Sequence, residues 1–296
     1  MTHNFFESKV AVITGGSRNI GKAVATALVE QEAKVVIGDI IDTEGQETIE
    51  ELNSKAGKEV AIFQHTDVTK YKDLTALFQL AESSFGGVDL VFLNAGIAVN
   101  HDVLLDPLDD EQDEKILKVN TAGIIKGTKV GVRHLAKRGA GAIVITGSTL
   151  GLEPASYTSI YNASKGAVIA WARSFQHLQN ICSVRINSVC PHAVDTEFLW
   201  GFPDLSRKIF EGVAPTAEIS TVVKAVLLLM EDQNRNGQVL TALPGNVIEV
   251  EEAPKIMAKT TQHLGNIPLV SPEVISELEA KYKQDFDGMM KSYFMQ

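Results

Sequence analysis

A short apolar run, Lys9-Val10-Ala11-Val12-Ile13, passes without a break into Thr14-Gly15-Gly16-Ser17-Arg18-Asn19-Ile20-Gly21. From there the chain enters a stretch with helical periodicity through Ala23, Ala27 and Leu28. No other stretch limits the fold so sharply. A continuous apolar run of this length is a strand buried on both faces, because a strand with one wet face alternates instead. Such a strand needs helices on either side of its sheet. The glycine-rich turn then aims backbone N–H groups and a helix N-terminus at one point, which is a site for a pyrophosphate. A glycine cluster by itself is only a loop. Strand, turn and helix in series make it a nucleotide-binding element.

The pattern repeats along the chain. Strands are expected at Lys34–Gly38, Glu59–Gln64, Val88–Leu93, the run Ile143 to Ser148, Ser183–Cys190 and Gly237–Thr241. Helices are expected at Thr43–Ala56, Lys70–Phe85, Asp109–Lys137, around Tyr161, and at Ile219–Glu231. Strictly alternating strands and helices mean an α/β fold with a parallel sheet. The expected architecture is a single Rossmann-type doubly wound domain over residues 1–250, with a seven-stranded parallel sheet and helices on both faces. Residues 251–296 form a C-terminal extension. Its Ser271-Pro272-Glu273 is a helix start, and Ile275, Leu278, Tyr282, Phe286 and Met289 follow at helical spacing. This amphipathic helix can pack on its own domain, meet a second subunit, or cover a pocket.

Asp39 closes the second strand, roughly 20 residues beyond the glycine turn. A carboxylate there accepts from ribose hydroxyls and repels a 2′-phosphate, so the expected cofactor is NAD. Arg18 argues the other way, since a basic residue in the turn accommodates that phosphate.

Tyr161-Asn162-Ala163-Ser164-Lys165 places a phenol and an ammonium four residues apart, one turn from each other on a helix. Alone, such a pair is an ordinary amphipathic feature. A tyrosine with a pKa near ~10 is a poor base at neutral pH. A neighbouring positive charge lowers that pKa and lets the phenol exchange a proton with an alcohol or a carbonyl. Thirteen residues before Tyr161, Ser148 puts a hydroxyl at the C-terminal end of a buried strand. Asn120 sits in the middle of the long helix Asp109–Lys137, facing either solvent or the interior.

Glycine turn, Asn94-Ala95-Gly96, Asn120, Ser148, Tyr161 and Lys165, in this order, resemble the classical short-chain dehydrogenase/reductase family over about Lys9 to Val250. The resemblance implies that Tyr161 is the acid/base and that Lys165 lowers its pKa and holds the nicotinamide ribose. It implies that Ser148 stabilises the substrate oxygen and that Asn120 positions a water leading to Lys165. The cofactor-binding set it implies is Gly15, Ser17, Arg18, Asn19, Ile20 and Gly21; Asp39 and Ile40; Asp67 and Val68; Asn94, Ala95 and Gly96; Tyr161 and Lys165; and Pro191, Val194 and Thr196. Two positions depart from the pattern. Asn19 stands where the family has the middle glycine of the turn, and asparagine tolerates left-handed backbone better than most residues. His192 stands where a glycine usually follows the proline. Within the family, Val35 to Asp39, Asn187 to Pro191 and Leu229 to Gly237 are similar to NAD-dependent hydroxyprostaglandin dehydrogenase-like members, which oxidise secondary alcohols on lipophilic molecules. The family also implies a homodimer or homotetramer, paired through the helices of Asn120 and Tyr161.

The loops at the C-terminal strand ends carry Ile97, Ala98 and Val99; Leu150, Leu152 and Tyr157; and Phe198, Leu199, Trp200, Phe202 and Pro203. None of them offers a lysine or arginine to clamp a carboxylate or phosphate. The expected partner is a lipophilic small-molecule alcohol or ketone, met by Leu150, Tyr157, His192, Phe198, Trp200 and Phe202. The leading reading is an NAD-dependent oxidation of a secondary alcohol. A ketone reductase running the same residues backwards, and an NAD-binding protein without turnover, remain open.

Other classes fit poorly. The net charge of −10 lacks the basic footprint that nucleic acid requires. No window approaches the ~20 apolar residues of a membrane-spanning helix. Met1 to Glu7 has neither the basic nor the apolar region of a secretory signal. Cys182 and Cys190 are too few for a disulfide framework and read as buried free thiols. A cytoplasmic location without metal is the expectation.

Overall fold

The computed structural model describes residues 4–98, 108–156, 158–202, 215–254 and 271–295; the side chains of Trp200 and Pro272 fall outside it. Tyr157, Val99 and Pro203 also lie outside the described residues. The first half of the domain runs β1 (Val10–Thr14), α1 (Asn19–Glu30), β2 (Lys34–Asp39), α2 (Asp42–Ala56), β3 (Ala61–His65), α3 (Tyr71–Phe85) and β4 (Leu90–Leu93). Then come α4 (Asp110–Leu117), α5 (Ile124–Arg138), β5 (Gly141–Thr146), α6 (Ser159–Arg173), α7 (Leu178–Cys182), β6 (Val184–Pro191), α8 (Ile219–Glu231), β7 (Val239–Leu243), β8 (Val247–Val250) and α9 (Pro272–Phe294).

The sheet order is β3-β2-β1-β4-β5-β6-β7-β8. β1 pairs with β2 on one side and with β4 on the other, all parallel. The chain direction across the sheet reverses between them, and such a switch point opens a crevice at the strands' C-terminal ends. Seven strands are parallel, as expected, but an eighth was not expected: β8 pairs antiparallel with β7. Gly245 and Asn246 take left-handed φ values of +75° and +60°, which turns the chain so that Val247 lies opposite Leu243. β8 has four residues, mostly exposed, so it carries no apolar run to announce it.

Side-chain alternation along the buried strands divides the core into two layers. Ala11 and Ile13 of β1 join Val24 and Leu28 of α1 and Val222, Val226 and Leu229 of α8. Val10 and Val12, one residue out of phase, join Leu74, Leu77 and Phe78 of α3, Val130 and Leu135 of α5 and Val168 of α6. Each such side chain contributes ~1.5–3 kcal/mol by leaving water. That is why the strands read as unbroken apolar runs.

The expected helix Asp109–Lys137 is not continuous. A π-helical turn, Lys118–Gly123, separates α4 from α5. An extra residue in the turn re-aims neighbouring side chains, and such turns recur at functional sites. Asn120 lies within it and is fully buried.

Helix α9 starts as expected, with Ser271 Oγ accepting from Val274 N at 3.4 Å. Its C-terminal part packs on its own domain at Phe286 and Tyr293, whereas Ile275, Leu278 and Tyr282 of the expected apolar stripe are exposed; none of its described residues lines the crevice. Phe286 lies against the second core layer. Tyr293 reaches the buried His134, whose Nε2 is 3.3 Å from the Tyr293 hydroxyl and whose Nδ1 is 2.8 Å from Glu82 Oε1. Burial pushes the His134 imidazole below its ordinary value, against the pull of Glu82.

The α3–α5 seam offers a direct stability test. Phe78 is fully buried, and a Cβ added at Gly131 of α5 would sit 3.4 Å from its ring. Phe78→Ala is expected to lower the unfolding free energy by ~3–5 kcal/mol, measured by urea denaturation. A loss below ~1 kcal/mol would mean that this seam is not close-packed.

Candidate active site

The crevice begins at the β1–α1 turn, where backbone must pass backbone. A Cβ on Gly21 would lie 2.0 Å from the Gly15 carbonyl oxygen, so only glycine fits. Gly15 itself has φ +65°, and a Cβ there would meet the Ala95 Cα at 2.7 Å. Asn19 takes φ +50°, so asparagine serves in the left-handed position as expected. Asn94 clamps the turn: its Nδ2 donates to Gly15 O at 2.9 Å, and its Oδ1 accepts from Thr146 Oγ1 at 3.2 Å. This joins β1, β4 and β5 at their C-terminal ends. Asp39 accepts from Ser17 N at 3.2 Å through one oxygen, and from Ile40 N at 2.8 Å and Ile41 N at 3.2 Å through the other. The Ser17 hydroxyl is buried and has no hydrogen-bond partner among the described residues.

Asn120 faces inward, which resolves its two readings. Its Oδ1 accepts from Ile97 N at 2.8 Å, and its Nδ2 donates to Ile97 O at 2.9 Å and to Ser164 Oγ at 3.2 Å. A Cβ added at Gly96 would be 3.2 Å from Asn120 Oδ1 and 3.7 Å from Lys165 Nζ, so both side chains converge on that glycine. Lys165 Nζ donates to Thr146 O at 2.8 Å and lies 5.7 Å from the centre of the Tyr161 ring. The Ser148 hydroxyl stands beside the Tyr161 phenol and favours its ionised form, and its Oγ accepts from Leu150 N at 3.2 Å.

Above the phenol lies an aromatic cover. The ring centres of Phe202 and Phe198 are 5.0 and 6.1 Å from that of Tyr161. Leu150, Leu199 and Ile97 belong to the same apolar cluster. The cover changes the electrostatics expected from the motif. Burial pushes the Tyr161 phenol above its ordinary value, and the Ser148 hydrogen bond opposes this. Burial likewise pushes Lys165 down to about 8. The expected lowering of the tyrosine by its neighbour does not appear among the effects on Tyr161, and burial dominates. Desolvation acts on both groups, and it weakens the very charge that was to do the lowering.

One cavity of about 290 Å³ connects these parts. Gly15, Arg18, Asn19, Ile20, Asp39, Ile40, Asp67 and Val68 line one end. Asn94, Ala95, Gly96, Ser148, Tyr161 and Lys165 line the middle, and Pro191, His192, Val194, Thr196, Leu150, Phe198 and Phe202 the other end. Ser17, Gly21 and Asn120 stand behind this surface and support it. Asp67 is partly committed to its own turn, accepting from Thr69 N at 2.9 Å and Thr69 Oγ1 at 2.7 Å. His192 replaces a glycine without closing the cavity, and its Nδ1 lies 3.4 Å from Thr149 Oγ1. Tyr157 and the Trp200 side chain, both expected here, lie outside the described residues. Thr146 was missed: its carbonyl holds Lys165 and its hydroxyl holds Asn94. Its place at the strand end, two residues before Ser148, was the available signal.

The donor set fits a dinucleotide. Backbone approaches closely at the turn, an orphaned hydroxyl waits at Ser17, and a carboxylate stands at the end of β2. Among the described residues, no group of three or more His, Cys, Asp or Glu side chains is placed to hold a metal ion. No described helix is long and apolar enough to cross a membrane.

A phosphate-binding turn and a hydroxyl–ammonium group sharing one crevice define a nicotinamide-dependent oxidoreductase on a doubly wound sheet. Residues 9–204 match the short chain dehydrogenase family, and the chain belongs to it. It is 32% identical over 230 residues to a cis-4-hydroxycyclohexanecarboxylate dehydrogenase from Sinomonas cyclohexanicum, covering 77% of this chain and 91% of that one. It is 30% identical over 240 residues to a 3-oxoacyl-acyl-carrier-protein reductase from Chlamydia muridarum, covering 79% and 95%. The fold matches a 3-ketoacyl-acyl-carrier-protein reductase from Brucella melitensis complexed with NADH, with TM-score 0.73 and 24% identity over 81% of this chain and 99% of that one. The protein is an enzyme acting on CH–OH groups with NAD(P) as acceptor.

The position of Lys165 sets a pH dependence. Its folded-state pKa of about 8 lies below the ordinary 10.5, so burying the ammonium costs stability at neutral pH. The unfolded chain binds the extra proton between these values, so stability rises with pH across that window. Without cofactor, Lys165→Met is expected to be more stable than the unmodified protein at pH 7, and its advantage should shrink by on the order of 3 kcal/mol towards pH 10.5. Urea denaturation of both proteins across this range checks it; a constant difference would place the lysine in a wetter site.

Proposed function

We propose that the enzyme oxidises a secondary alcohol of a lipophilic small molecule to the ketone, with NAD as acceptor. The observation that carries this reading is the phenol of Tyr161, joined to Ser148 and covered by Phe198 and Phe202. An alcohol oxygen between Ser148 and Tyr161 would present its carbon to the crevice and the rest of the molecule to the aromatic cover. Ser148 holds the oxygen, and Tyr161, once its own phenolic proton has left, takes the proton of the alcohol. A nicotinamide held at this end of the crevice would supply the hydride acceptor. Lys165 holds the ribose side of the site, and Asn120 fixes the Ile97 backbone beside it.

Several features support the finer points. Among the described lining residues only Arg18 and Lys165 are arginine or lysine, and both are engaged, Arg18 with Glu44 and Glu197 and Lys165 with the Thr146 carbonyl. A lipophilic substrate is therefore matched better than an anion. The substrate named in the Sinomonas relative is a ring alcohol that also bears a carboxylate, so it supports the secondary-alcohol part of the reading and not the lipophilic part. Asp39 at the end of β2 favours NAD over NADP. The reverse reaction, ketone reduction, uses the same residues, and the cofactor ratio decides between them. A cytoplasmic enzyme working as a homodimer or homotetramer completes the proposal, by likeness to the family.

Tyr161→Phe is expected to lower turnover by at least ~10²–10⁴-fold while NAD⁺ affinity changes little. Steady-state kinetics with a working substrate, beside a fluorescence titration with NAD⁺, measures both; retained activity would remove Tyr161 from the reaction. In a panel of alcohols followed by NADH formation, lipophilic secondary alcohols should give higher kcat/KM than sugars or small polar alcohols. The opposite ranking would refute the pocket reading.

A further inference from the structure

Arg18 stands in the glycine turn, on the wall of the crevice that also carries Asp39 and Ile40. A guanidinium there is suited to a 2′-phosphate, since arginine binds phosphate oxygens in a fork. It is already engaged. Its Nη1 lies 3.3 Å from Glu197 Oε2 and 3.7 Å from Glu44 Oε1. Glu44 comes from α2, and Glu197 from the 3-10 turn Glu197–Gly201, which carries Phe198 and Leu199 over Tyr161. The three side chains are roughly half exposed, so the pairs add little to stability. Their consequence is where the guanidinium sits and how much negative charge surrounds it.

We propose that Glu44 and Glu197 determine cofactor preference by acting through Arg18, holding its guanidinium away from the position a 2′-phosphate would take. Asp39 gives the direct repulsion, and its carboxylate is committed to the backbone of Ser17, Ile40 and Ile41. For Arg18 to turn to a phosphate, it must leave both glutamates. Glu44 and Glu197 would then lose their shared countercharge while the phosphate dianion adds to the charge already contributed by Asp39. Glu197 is a positioning residue on the substrate side of the crevice, 179 residues from Arg18 in sequence. Cofactor choice is thus partly written in a loop that the nucleotide-binding half of the chain does not contain.

The inference rests on the NAD reading above and is tested by binding alone. Kd values for NAD⁺ and NADP⁺ are measured by fluorescence titration on the unmodified protein, E44Q, E197Q, the double variant, and the double variant with Arg18→Ala. NADP⁺ affinity is expected to rise by ~10-fold in the double variant, with NAD⁺ affinity within ~2-fold. Adding Arg18→Ala should cancel the gain, and raised salt should diminish it. A gain that survives Arg18→Ala would overturn the proposal, because charge removal alone would explain it. No gain, with the unmodified protein still preferring NAD⁺, would overturn the proposal and leave the NAD reading standing. Tighter NADP⁺ than NAD⁺ binding by the unmodified protein would sink both, because Arg18 would then be free to take the phosphate.

Discussion

Between the first strand and the first helix there is no space for a side chain. The Gly21 backbone passes so close to the Gly15 carbonyl that a single methyl group would collide with it at 2.0 Å. Everything around the crevice is arranged on this contact. The turn is held by Asn94 from β4, Asn94 is held by Thr146 from β5, and Thr146 also receives the Lys165 ammonium from α6. One chain of hydrogen bonds therefore places the cofactor turn and the reactive group in a common frame. The sheet supplies its rigidity, because these strands are buried on both faces and their ends cannot shift independently.

The reactive group is shaped by desolvation as much as by charge. Phe198 and Phe202 cover Tyr161, whose burial raises the phenol's pKa, and burial among β5, α6 and the Asn120 turn lowers that of Lys165. The same rings that favour an apolar substrate thus oppose ionisation of the phenol. A bound substrate oxygen in place of one ring would supply the polar partner that the phenol otherwise finds only in Ser148. Substrate fit and acid–base strength are linked through a single loop, and Glu197 at its start is the residue that reaches Arg18.

The C-terminal helix belongs to a different part of the molecule. It is anchored through Tyr293 and Phe286 on the α5 side, away from the crevice. His134 holds Tyr293 and Glu82 at its two ring nitrogens, so the anchor consists of a satisfied buried polar group amid aromatic rings.

The sequence alone determined the alternation of strands and helices, the nucleotide turn, and the spacing of Ser148, Tyr161 and Lys165. These are local matters: apolar runs report burial on both faces, and residues four apart on a helix are neighbours whatever surrounds them. Tertiary structure decided the rest. The inward direction of Asn120 depends on a π-helical turn that no residue preference announces. The strand β8 exists because Gly245 and Asn246 fold a short polar segment back onto an open sheet edge. The raised pKa of Tyr161 goes with burial under a cover contributed by residues about forty positions later in the chain. Arg18 reads as a phosphate ligand in the sequence and as a restrained ion-pair partner in the fold, since Glu197 reaches it only when β6 lies in the same sheet as β1. Distance in space fixes electrostatics and burial, and distance along the chain does not reveal it.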